Sequence, residues 1–144
     1  KYKKVIGHGL NKEELERNKA FEDYWVQNFN INQEIPLEDE TIDFCLMVAA
    51  WQYLQYPEKI AEEIARILNP NGKFLIAFSN RAFWHKAPNI WTYSSETERI
   101  EYVKNILIKN GFCEPKVIKK FTKENSFLPF FKRDPFYCVI SKKK

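Results

Sequence analysis

The sequence predicts an α/β fold: a mostly parallel sheet with helices on both faces and an antiparallel C-terminal hairpin. Three observations predict it. Short apolar strands alternate with amphipathic helices, the order that builds parallel sheets. The run Ile42-Asp43-Phe44-Cys45-Leu46-Met47-Val48 is nearly all apolar, as expected of a central parallel strand covered on both faces. The last two strand-like stretches, 116–121 and 136–141, have no helix between them, so an antiparallel return is the pairing open to them.

The elements follow in order. Lys4-Val5-Ile6-Gly7 reads as a short strand and Gly7-His8-Gly9 as a tight turn. Asn11 is an N-cap with Glu14 at the capping-box spacing, for a helix over 12–17. A second strand follows near 24–27, then a polar, Asn-rich connection from Asn28 to Pro36. After the central strand (41–50), a helix runs over 57–68 with Pro57 at its first position. Its Ile60, Ala61, Ile64, Ala65, Ile67 and Leu68 keep helical spacing, and Glu58, Glu62, Glu63 and Arg66 take the other side. Asn69-Pro70-Asn71-Gly72 stops it, because Asn and Gly accept left-handed backbone and Pro blocks continuation. A strand over 73–78 comes next, then an irregular aromatic stretch to Trp91, a helix over 96–110 closed by Gly111, and the final strands.

The 144 residues are 44% hydrophobic and 29% charged, which suits one domain with a real core. No apolar run approaches the ~20 residues of a membrane span. The net charge is +4, but Lys1, Lys3, Lys4, Lys142, Lys143 and Lys144 supply six of the 23 positive residues, and the remaining 17 face 19 acids. Positive charge gathered at the ends reads as solubilising tails, so no nucleic-acid partner is expected. Cys45, Cys113 and Cys138 have no metal-ligand spacing and their number is odd. Neither a metal nor a disulfide framework is expected, and a reducing, cytoplasmic setting fits.

The run Ile35-Pro36-Leu37-Glu38-Asp39-Glu40-Thr41-Ile42-Asp43-Phe44 resembles the "LPFPDESFDLV" segment of class I S-adenosylmethionine-dependent methyltransferases of the type 11 kind. Gln52-Tyr53-Leu54 and Pro57-Glu58-Lys59 follow. Then Glu62-Glu63-Ile64-Ala65-Arg66-Ile67-Leu68-Asn69-Pro70-Asn71-Gly72 is similar to the family's "REIARVLKPGG". The strand over 73–78, Ser79-Asn80-Arg81 and the closing 134–140 keep the family's order, and the resemblance covers nearly the whole chain. It implies a Rossmann-like sheet whose last strand is antiparallel. It also implies a first strand and a glycine-rich loop, and none of Gly7, Gly9, Gly72 and Gly111 forms that loop. The expectation is therefore that Val5-Ile6 is the family's second strand. The first strand, loop and helix would lie upstream of residue 1, making 1–144 the C-terminal two-thirds of a single domain.

The resemblance also implies the site. The family's ribose-binding acid falls at Gly9, a departure that leaves His8 or Asn11 to contact the ribose; Gly7 and Gly9 otherwise make a turn. Lys12 stands where a dinucleotide fingerprint needs its third Gly, which counts against a nicotinamide oxidoreductase. Asn28-Phe29-Asn30 match the adenine position, or form a polar turn. Ala49, Ala50 and Trp51 should face the methionine part of S-adenosylmethionine, since ligands of open α/β sheets sit beyond the carboxyl ends of strands. Trp51 and Tyr53 could equally be core. Gln52, Tyr53, Asn80, Arg81, Trp84, His85 and Trp91 are the candidate acceptor-site residues. His85 is the candidate general base, and no catalytic residue is otherwise assigned. The expected reaction is methyl transfer to a small-molecule acceptor. The alternative is a methyltransferase-like binding or scaffold domain without activity. The choice between monomer and homodimer is left open.

Overall fold

A computed structural model describes residues 3–80, 82–121 and 135–144. Strands β1 (Ile6–Gly9) and β2 (Asp23–Val26) pair in parallel across helix α1 (Lys12–Arg17). The second sheet has the order β3-β4-β6-β5. Its strands are β3 (Ile42–Val48), β4 (Leu68–Ser79), β5 (Lys116–Phe121) and β6 (Pro135–Lys142). β3 and β4 are parallel; β6 is antiparallel to both β4 and β5. Helix α2 (Pro57–Ile67) links β3 to β4, and α4 (Glu96–Lys109) precedes β5. The aromatic stretch expected to be irregular holds a 3-10 turn, Trp84–Lys86, and a one-turn helix α3 (Asn89–Thr92).

The core follows from the strand and helix periods. Alternate residues Phe74, Ile76 and Phe78 of β4 and Tyr137 and Val139 of β6 are buried with Ile60, Ile64 and Ile67 of α2 and Val103, Ile106 and Leu107 of α4. Each such side chain contributes roughly 1.5–3 kcal/mol by leaving water. Helix α4 starts with a complete capping box between Ser95 and Glu98. It ends at Gly111, whose φ of 88° lets the Phe112 N–H reach the Leu107 carbonyl at 3.1 Å, a left-handed closure that a side chain would oppose.

The structure corrects three expectations. Asn69-Pro70-Asn71-Gly72 does not separate helix from strand. Leu68 already pairs with Ile42, and pairing resumes at Lys73 opposite Phe44, so the four residues bulge out within β4. Asn71 takes the left-handed turn, φ 66°, and a Cβ at Gly72 would come within 2.8 Å of the Asn69 carbonyl oxygen. Gly7-His8-Gly9 is not a turn: the three residues lie in β1 and pair with Tyr24, Trp25 and Val26 of β2, while the C-terminal hairpin does lie at one edge, with β6 between β4 and β5. Helices do not cover both faces of the larger sheet among the described residues. The face opposite α2 and α4 leaves Phe44, Leu46 and Val48 of β3 46%, 57% and 53% exposed, with Ile118 and Phe136 also half-exposed. Among the described residues no ladder joins the two sheets, so β3 has one partnered edge.

Candidate functional site

Parallel pairing makes both strands of a pair end at the same level, and the predicted site residues gather there. Gly9 ends β1, and Asn28 and Phe29 follow β2. Ala49 to Gln52 follow β3, and Asn80 follows β4. The exits of β3 and β4 are tied directly: the Ala49 N–H donates to the Ala77 carbonyl at 2.8 Å. Ala49 has φ 51°, an uncommon conformation for a residue with a Cβ, and it turns the chain sharply into the 3-10 turn Trp51–Tyr53.

Asn30 joins the smaller sheet to this turn. Its Nδ2 donates to the Tyr53 carbonyl at 2.9 Å, and its Oδ1 accepts from the Gln55 N–H at 2.8 Å. Tyr53 continues the chain of contacts, its Oη accepting from the Phe83 N–H at 3.0 Å. The loops after β2, β3 and β4 thus form one hydrogen-bonded rim.

His8 is held at the edge of this rim. Its Nε2 lies 2.9 Å from the Gln27 carbonyl, the geometry of a donated hydrogen bond, which leaves Nδ1 as the acceptor. The ring stacks on Phe29 at 4.1 Å between centroids and lies 4.9 Å from Trp25. Burial lowers its pKa, and the bond to Gln27 opposes this only in part. His8 is therefore a neutral imidazole at physiological pH.

The other predicted residues divide. Asn11 caps α1, its Oδ1 accepting from the N–H groups of Glu13 and Glu14 at 2.9 and 3.3 Å. Asn28 Oδ1 accepts from the Asn30 N–H at 3.0 Å and shapes its own turn. Gly7 is explained by packing: a Cβ there would lie 2.3 Å from the Phe21 ring. At Gly9 it would meet only Leu15, at an ordinary 3.4 Å. Trp51 and Trp91 are core residues, each 2% exposed; Trp51 lies against Phe74, and Trp91 meets Phe78 edge-on with the Arg99 guanidinium over its ring. His85 is exposed, 6.3 Å from Phe83. Arg81 and the side chain of Trp84 lie outside the described residues.

Four polar atoms near these strand ends are buried without a hydrogen-bond partner: Trp25 Nε1, Trp51 Nε1, Gln52 Oε1 and Asn80 Oδ1. Such atoms are rare in folded proteins. The sequence pointed to Gln52 and Asn80 but not to the Trp25 indole or the Asn30 clamp. The sequence marked Asn30 only within the adenine-position segment, and nothing local shows its clamp role, since its partners lie 23 and 25 residues away. Among the described residues no cluster of three His, Cys, Asp or Glu side chains could hold a metal ion.

The model of the methyltransferase domain family matches residues 1–76, just over half of the chain. The chain belongs to this methyltransferase family. An uncharacterised methyltransferase of Mycobacterium tuberculosis is 35% identical over 49 residues, which are 34% of this chain and 20% of that protein. A sterol 4-C-methyltransferase of Caenorhabditis elegans is 36% identical over 44 residues, 31% of this chain and 13% of its own length. The chain thus matches a fifth or less of the length of these relatives.

Solved structures agree on the fold. A S-adenosylmethionine-dependent methyltransferase of Thermotoga maritima, a possible histamine N-methyltransferase, superposes with a TM-score of 0.66 at 23% identity, covering 96% of this chain and 72% of its own. A similar protein of Listeria monocytogenes reaches 0.69 at 18% identity, covering 99% and 80%. The [4+2]-cyclase SpnF reaches 0.63 at 9% identity, covering 97% of this chain and 66% of its own. The family fold therefore carries more than one reaction, and function has to be argued from the site.

Proposed function

We propose that these residues form one methyltransferase-like domain that binds S-adenosylmethionine and directs its methyl group to a small-molecule acceptor. The observation that carries this is the rim. Small residues Ala49 and Ala50, with the left-handed turn at Ala49, stand where ligands of open α/β sheets bind, beside buried polar atoms that lack partners. The donor set fits in part. His8 Nδ1 is available to a ribose hydroxyl in place of the family's acid at Gly9. Phe29 is buried in the core with His8 stacked on its ring, so it supports the site by shape and not as an open face for a base. Gly7, Asn11 and Asn28 contribute shape only, Gly7 through its packing on Phe21 within β1 and the two Asn through a cap and a turn.

When bound, the cofactor supplies an electrophilic methyl group on a sulfonium. The chain's own residues act by position. The Asn30 and Tyr53 bonds hold three loops in register, and the aromatic residues limit water at the reacting atoms. Such chemistry requires no nucleophile from the protein. In this reading His85 exchanges a proton between acceptor and solvent, and its exposure is what supports that role.

The test is calorimetric titration of S-adenosylhomocysteine into the full-length protein. Micromolar binding is expected, and Ala50→Trp should abolish it by filling the space beside Ala49. A well-folded protein that does not bind would move the inactive binding or scaffold reading to first place.

A further inference from the structure

The acceptor-side polar atoms carry an inference that rests on the methyl-transfer reading. Gln52 is 2% exposed, and its Oε1 has no hydrogen-bond partner. Asn80 Oδ1 is likewise buried and unpartnered. The two residues leave adjacent strands: Val48 pairs with Ala77, and the Ala49 N–H bonds the Ala77 carbonyl. Gln52 lies four residues beyond Val48, and Asn80 three beyond Ala77. Their following segments are tied together, since Tyr53 Oη accepts from the Phe83 N–H. The rings of Tyr53 and Phe83, on the same two segments, are tilted and 6.4 Å apart, and Phe83 is 64% exposed.

Unpartnered carboxamide oxygens accept hydrogen bonds and carry no charge. Two of them call for two donors. A hydroxyl offers one; a neutral primary amine offers two and keeps its lone pair free. We infer that Gln52 and Asn80 select a primary amine borne on an aromatic ring system as the methyl acceptor. Each oxygen takes one N–H, and the lone pair is left directed at the methyl carbon. The N–C bond forms as the C–S bond breaks; the C–S electron pair stays on sulfur, and one N–H proton leaves to water. The carboxamides hold the nitrogen without protonating it, which a carboxylate–ammonium pair would not allow.

The experiment uses the full-length protein, titrated first with S-adenosylhomocysteine. The saturated protein is then titrated with aniline, whose amine is neutral at pH 7, and with its hydroxyl counterpart, phenol. The amine is expected to bind about tenfold more tightly, the size of one buried hydrogen bond left unmade by the alcohol. Gln52→Leu should erase that preference while leaving S-adenosylhomocysteine affinity unchanged and Tm equal or higher, because it removes an unpartnered buried polar group. A purely structural Gln52 would instead lower Tm. Gln52→Glu, which keeps an oxygen acceptor, should retain the preference. Equal binding of amine and alcohol overturns the inference, as does a preference that survives Gln52→Leu or is lost in Gln52→Glu. An amine preference without S-adenosylhomocysteine binding would overturn the cofactor reading and leave this site standing; cofactor binding without the preference would do the reverse.

Discussion

Arg66 shows what one side chain does for the framework beneath the rim. It ion-pairs with Glu63 at 2.8 Å and Asp39 at 2.7 Å, and it donates to the carbonyls of Ile35 and Leu37 at 2.8 Å. Glu63 in turn accepts from the Ile35 N–H at 2.8 Å. The loop that carries the smaller sheet's chain back to β3 is thereby pinned to α2. The Arg66 hydrogen bonds hold the Glu63 carboxyl below the usual carboxylate range, against the opposing effect of burial. A carboxyl depressed by folding stabilises the fold above its unfolded pKa, and that stabilisation is lost as pH falls through the folded value. Tm should therefore fall on acidification below about pH 4.3. Arg66→Met should lower Tm at neutral pH and flatten this acid limb; an unchanged limb in thermal melts would refute the pairing. Arg66 was legible in the sequence only as the polar side of a helix, because its partners near residue 36 come from across the fold.

Between elements, the Asn30 clamp carries the coupling. It replaces a ladder between the two sheets with two hydrogen bonds to backbone. Asn30→Ala should cost about 1–2 kcal/mol, the net worth of two such bonds, and should weaken S-adenosylhomocysteine binding further by freeing the Ala49–Tyr53 turn. Calorimetry beside urea denaturation separates the two effects; a stability loss with unchanged affinity would make Asn30 structural only. The helices were largely legible, since α1 and α4 follow local caps and α2 follows Pro57 at its start and a 3.6-residue period. The 69–72 segment was not. Its composition says turn, and the backbone does turn at Asn71. Yet Leu68 had already joined β3, a pairing that depends on a strand 26 residues earlier.

For the molecule as a whole, the apolar face of β3 dominates, with its one partnered edge among the described residues. Phe44, Leu46 and Val48 are half-exposed in a row on one face, and such strands recruit partners or self-associate. These 144 residues expressed alone should self-associate as concentration rises, and Leu46→Lys should reduce it. Size-exclusion chromatography with light scattering decides; a monomeric, cooperatively melting chain at every concentration would sink the expectation. Readable from residue order alone were the alternation of strands and helices, the core stripe of α2, the caps, and the segments that follow the strand ends. All are written in residue type and short spacing. Folding itself put β6 between β4 and β5, drew Trp51 and Trp91 into the core, and left unpartnered oxygens on Gln52 and Asn80 at one rim. Those facts depend on contacts between distant residues, and a local pattern fixes a side chain's period without fixing what it finally touches.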